Sequence, residues 1–319
     1  MPQSGKPTFG LGHCFNGCTK RAERGLEIAT LAVGDGSRRW AFTLAVAQTP
    51  AGKADARKAQ RAEEPRREFS THHLHDQRPR LPSAIRSHCV EGYFAKQKSI
   101  AAVTALKRHP LPKLRHDATG WFLYTEPQPK RRGRRRQYDG KVNSQDLHRF
   151  ESLGPLEERP PIPLYTALVW PVSLKRRLPV GVLSNRKAVT NPRYLVLAST
   201  DLALAGDQLV ELDVARFPIA FLFRDRKPFT GLAACQSRAE TVLHFHFKAA
   251  LAMLTRARAE QLRTQTDPSP RVFSMARWKQ RQFNERLREA LIENLALDPR
   301  WVKNHPGYEE LRTYGAIAA

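Results

Sequence analysis

The spacing of apolar residues changes at Leu202, and this change limits the fold more than any other feature. Ahead of it, apolar residues come in short runs split by Gly, Pro and basic turns: LEIATLAVG (26–34), RWAFTLAVAQ (39–48), GWFLYTE (120–126), PLYTALVWPVSL (163–174), LPVGVLSN (178–185) and RYLVLASTDL (193–202). Such runs are read as strands. The first two, joined by DGSR, are expected as a hairpin, and the last three as an antiparallel meander. Beyond Leu202, the segments 240–262 and 275–295 repeat apolar residues every three or four positions, with DPSP between them. That spacing predicts two helices, and KSIAAVTALKRH (98–109) predicts a shorter one before them.

Residues 51–86 fit neither pattern. They are rich in Arg, His and Pro, have almost no apolar periodicity, and are expected as an ill-ordered linker. His72, His73 and His75 lie inside it and are read as a solvated cluster, because no carboxylate or thiolate is positioned to complete a metal site. His244 and His246, two apart on a predicted helix, cannot share a face. The four cysteines, Cys14, Cys18, Cys89 and Cys235, are too few and scattered for a disulfide scaffold. Cys14, Cys18 and His13 form at most half of a zinc site, and no second pair completes it.

Charge narrows the partners. Lys and Arg number 54 against 30 Asp and Glu, a net charge of +24, which favours polyanions, nucleic acid ahead of an anionic membrane surface. The run KRRGRRR contributes Lys130, Arg131, Arg132, Arg134, Arg135 and Arg136. Such a run is either a solvated segment or a set of phosphate contacts weakened by salt. No apolar stretch approaches the roughly 18 residues of a membrane span, and the start MPQSGKPTFGLG lacks a signal-peptide pattern. A cytoplasmic protein is therefore expected.

The segment ARFPIAFLFRDRKPFTGL (215–232) carries Arg216, Ala220, Phe223 and Lys227 within about 60° of one another on a helix. Its spacing R-x3-A-x6-K resembles the Y-x2-R-x3-E-x6-K signature of DDE transposases of bacterial insertion sequences. Asp213 stands at the Tyr position and Ala220 at the Glu position, while Arg216 and Lys227 match. The resemblance extends through SGKPTFGLGHCFNGC (4–18), VEGYFAKQ (90–97), YDGKVNSQDLHRFE (138–151), LYTALVWPVSLKRRL (164–178), NPRYLVLASTDL (191–202), FLFRDRKPFTGLAACQSR (221–238) and KNHPGYEELRTYGAIAA (303–319). It covers nearly all of the chain except about 51–86.

The resemblance implies an α/β, ribonuclease H-like mixed sheet with a β-rich insertion before the last catalytic helix, plus C-terminal helices. The implied division is 1–50 with 87–126 as the first part of the core, and 127–202 as basic segment and insertion. Residues 203–262 would hold the signature helix and complete the core, and 263–319 would form a helical tail. In such enzymes two Asp and one Glu hold two divalent ions, usually Mg2+, for in-line attack on a DNA phosphodiester. The partner implied is DNA, the ends of the insertion sequence, and a homodimer is compatible with the family. Arg216, Lys227 and Arg224 would face DNA phosphate.

The metal positions depart from the family. The first Asp would lie a few residues before Ser4, where this chain has only three residues, so a 5′-truncated, decayed reading frame that lacks its first strand is expected. Glu91 replaces the second Asp in VEGYF, adding a methylene that moves the carboxylate by about 1 Å, and such a shift can cost about 10²-fold. Ala220 replaces the Glu and cannot bind a metal. Mg2+ binding is therefore expected to be weak or lost, with Glu91 the one remaining ligand. Asp201 could substitute only poorly from the strand before the signature helix, and Asp225 is turned about 140° away from Ala220. Pro218 is tolerated if the helix starts near Phe217 and kinks it if the start is earlier. Arg216 and Lys227 can equally be solvated helix cations, and Glu91 a surface acid. Three readings follow: a transposase-family protein with its activity lost, a non-catalytic DNA-binding protein that keeps the basic surface, or an unstable product.

Overall fold

The computed structural model describes residues 8–16, 19–49, 56–129, 132–156, 162–185, 193–264 and 273–316. The chain opens with a two-stranded pair, β1 (Gly12–Asn16) and β2 (Arg21–Gly25). A second pair follows, β3 (Ile28–Asp35) with β4 (Trp40–Gln48), joined by the turn that DGSR forms. Its register runs from Ile28 opposite Gln48 to Asp35 opposite Trp40, so the predicted hairpin is present.

The expected ill-ordered linker is largely a helix, α1 (Ala56–Asp76), followed by a short 3₁₀ turn at Arg78–Arg80. The physical reason is tertiary anchoring. Leu74 is buried in a cluster with Val103, Leu106, Leu31 and Leu81, Arg66 pairs with Glu27 at 3.2 Å, and Arg67 lies over the Tyr93 ring. His73 is half-buried and stacks on Phe69, with burial holding its pKa below the ordinary value, while His72 and His75 are exposed.

The main sheet follows. Its strands are β5 (Ser87–Val90), β6 (His109–Leu114), β7 (Gly120–Leu123), β8 (Tyr138–Lys141), β9 (Glu151–Pro155), β10 (Pro163–Pro171), β11 (Leu178–Asn185) and β12 (Arg193–Ala198), with α2 (Gln97–Ala105) between β5 and β6. The order is β5-β6-β12-β11-β10-β7-β8, and β9 pairs with β10. Only β5–β6 is parallel, as a crossover through α2 allows; the other pairs are antiparallel. The predicted meander is present as β10–β11–β12. The expected boundary after residue 126 falls inside this sheet, because β12 bonds to β6 and β10 to β7. Strands assigned to an insertion and strands assigned to the core share one ladder.

Helices complete the layers: α3 (Gly206–Val214), α4 (Pro218–Phe229), α5 (Glu240–Thr264), α6 (Met275–Asn294), α7 (Pro299–Lys303) and α8 (Gly307–Thr313). One core gathers Phe122, Phe150, Val169, Leu178, Val180 and Val196 from the main sheet and its loops, with Ile100 of α2. On another patch of the sheet, α3 sets Val210 against Leu164, Leu183 and Leu197. The β3–β4 hairpin is covered instead by α4, α5 and α6, through Leu222, Phe247, Leu251, Leu254 and Met275. The last turn of α3 and the turn that follows it touch both regions. A side-chain carbon on Gly34 of β3 would lie 2.6 Å from the Ala215 carbonyl oxygen, and Cys89 of β5 donates to the Leu212 carbonyl at 3.1 Å. Among the described residues, no helix is long and apolar enough to cross a membrane.

Candidate nucleic-acid interface

Helix α4 begins at Pro218, in the first helical turn, where the missing N–H has no intrahelical partner to lose. The backbone enters it through a tight turn: the N–H of Phe217 donates to Val214, that of Ile219 to Arg216 and that of Ala220 to Phe217. Pro218 therefore produces no kink. Pro228 is the proline inside the helix, one residue from its end.

That turn aims Arg216 back toward the main sheet. Its Nε is 3.3 Å from Asp213 and its terminal nitrogen 3.0 Å from Glu91, which sits directly after β5. The Asp213 pair is enclosed, with 17% of the Arg216 side chain and 10% of the Asp213 side chain exposed, whereas the Glu91 side chain is 69% exposed. The two links differ in worth. The exposed Glu91 contact is of the kind worth about 0–1 kcal/mol, while breaking a buried pair such as Asp213–Arg216 costs about 3–5 kcal/mol. Asp213 thus fixes the guanidinium, and the guanidinium stands beside Glu91. Arg216 also lies over the Phe217 ring, 5.2 Å from its centre.

Cys89 closes the cluster from below. Its thiol is pushed up to about 11, first by burial and then by the nearby Asp213 charge, against the opposing pull of Arg216. It is a buried hydrogen-bond donor rather than a nucleophile.

The expected metal ligands do not fit a divalent ion. Ala220 presents a methyl group to solvent, and Glu91 and Asp213 are both engaged by the same Arg216. An incoming cation would meet a fixed positive charge within hydrogen-bonding distance of Glu91. Among the described residues no group of three His, Cys, Asp or Glu side chains converges on a common point. Asp201 is occupied in the turn after β12, where it accepts the Ala203 N–H at 3.1 Å. The Asp225 side chain, Cys18 and the start of the SGKPT segment lie outside the described residues.

The expected phosphate contacts separate into two groups. Arg216 is committed to carboxylates, which is not the phosphate-facing role expected of it. Arg136 and Arg134 are exposed but have surface partners: Arg136 is 2.5 Å from Asp139 and over the Tyr124 ring at 4.9 Å, and Arg134 donates to Gln137. Arg132, Arg135, Arg224 and Lys227 are exposed. Lys130 and Arg131 lie outside the described residues.

Sequence reasoning missed two members of this cluster, Asp213 as an ion-pair partner and Cys89. The three-residue spacing of Asp213 and Arg216 was a usable signal, since opposite charges so spaced on a helix meet. The Glu91 contact carried no local signal, because 125 residues separate it from Arg216. A scan against protein-family models and a search among curated proteins each found no match to this chain.

Proposed function

We propose that this chain is a DNA-binding protein of DDE-transposase type that does not cut DNA. The observation that carries this reading is Arg216, anchored by Asp213 and standing against Glu91, while position 220 on the following helix holds an exposed alanine. Where two-metal chemistry calls for converging carboxylates, this cluster has one exposed carboxylate neutralised by a guanidinium. A ribonuclease H-like ancestry is supported by the antiparallel β3–β4 hairpin, the parallel pair β5–β6, and Glu91 at the end of β5. DNA binding is supported by the net charge of +24 and by the exposed Arg132, Arg135, Arg224 and Lys227.

The test is a gel shift of the purified chain with duplex DNA, repeated across a salt series. Binding is expected to weaken linearly on a log–log plot of affinity against salt. Substituting Arg132 and Arg135 with Ala is expected to lower that slope by about two, one per lost phosphate contact. Absence of binding at low salt, or an affinity indifferent to salt, would refute the reading.

A further inference from the structure

The two sides of α4 are sharply different. Leu222 is fully buried, with Ile219 and Phe229 packed against the same cluster. On the opposite side Ala220, Phe221, Arg224, Lys227 and Pro228 are exposed, as is Phe217 in the turn that leads into the helix. At 100° per residue they fall in one sector about 120° wide. The sector contains two aromatic rings and two cations.

The rings stand in an arrangement that water does not favour. Phe217 is 53% exposed and Phe221 43%, and four residues separate them, so they sit roughly one turn apart on the same side. Each has a guanidinium over it, Arg216 at 5.2 Å from the Phe217 centre and Arg224 at 4.6 Å from the Phe221 centre. Ala220 contributes only a methyl group on this side, and each guanidinium covers one side of its ring. Exposed residues that pair flat apolar faces with cations match a nucleotide in both its parts. A base has a face to stack on a ring, and its phosphate has a charge to meet Arg224 or Lys227.

We propose that this face of α4 is a stacking platform for single-stranded DNA, with bases on Phe217 and Phe221 and the backbone along Arg224 and Lys227. The inference rests on the DNA-binding reading above and specifies which form of DNA this surface takes. Bases in a duplex keep their faces inside the stack, so a duplex engages the cations and leaves the rings in water. Unpaired bases reach both.

The experiment measures binding of the full chain to a fluorescent oligothymidylate and to a duplex of equal length, for the wild type, Phe217→Leu and Phe221→Leu. Leucine keeps an apolar side chain and removes the π-face, and circular dichroism checks that each variant is folded. Each substitution is expected to weaken single-strand binding about tenfold and leave duplex affinity within about twofold, since stacking is worth about 1–3 kcal/mol per base. Unchanged single-strand affinity, or parallel loss of both substrates, would overturn the proposal. A wild type that binds duplex and ignores the single strand defeats this inference alone, whereas one that binds neither defeats the DNA-binding reading as well. Self-association of the wild type that the leucine variants abolish, with single-strand affinity unchanged, would assign the face to a protein partner instead.

Discussion

Arg216 and Cys89 meet at the same carboxylate, Asp213, and respond to it differently. Arg216 is held by it as an ion pair, while the Cys89 thiol is held neutral by burial and by that negative charge. The neutral thiol has a consequence for stability. An unfolded cysteine ionises near pH 9, whereas Cys89 in the fold ionises only at about 11, so the folded form resists losing a proton that the unfolded form releases. Its contribution is complete below about pH 9 and is lost as pH rises from 9 to 11. Urea unfolding of the wild type and Cys89→Ala is expected to show a stability difference at pH 8 that shrinks by on the order of 2 kcal/mol by pH 10.5. An unchanged difference would mean that Cys89 is solvated in the fold. The Asp213–Arg216 half of this cluster was within reach of the sequence, because both residues lie in one short stretch. Its relation to Cys89 and Glu91 was not, since sequence distance says nothing of which strand end a turn will face.

At the scale of elements, local signals carried the strands and failed on α1. The β3–β4 hairpin and the β10–β11–β12 meander were legible because each strand pairs with its sequence neighbour, the hairpin across a Gly turn and the meander's apolar runs split by basic residues. Helix α1 has Pro65 in its interior and no repeating apolar face, and both argue against a helix. Its end is held by Leu74 packing on Val103 and Leu106, a tertiary contact with no local trace. Leu74 is thus the apolar tie of the described part of α1, beside the polar ties of Arg66 to Glu27 and the His13 carbonyl. Leu74→Ala is expected to remove about 2–5 kcal/mol of packing there. In hydrogen exchange, the amides of 66–76 should lose protection while those of β10 to β12 keep theirs. Retained protection in α1 would show that some other contact holds it.

At the scale of the whole molecule, the sheet order was hidden for a simple reason. Bonds such as β6 to β12 and β7 to β10 join strands far apart in sequence, and nothing local marks which distant edge a strand will take. The division into a core and an insertion therefore could not be drawn from the pattern alone. What the pattern did convey was the balance of the molecule: a strongly basic chain of mixed α/β build, strands first and long helices after them. The guanidinium that stands against Glu91 supports the proposal that this chain binds DNA and leaves it intact. The most direct measurement is incubation of the purified protein with supercoiled plasmid and Mg2+, at a salt concentration where gel shifts show full binding. The account predicts plasmid that stays supercoiled at every protein concentration. Mg2+-dependent conversion to nicked circles, abolished by Glu91→Gln, would contradict it.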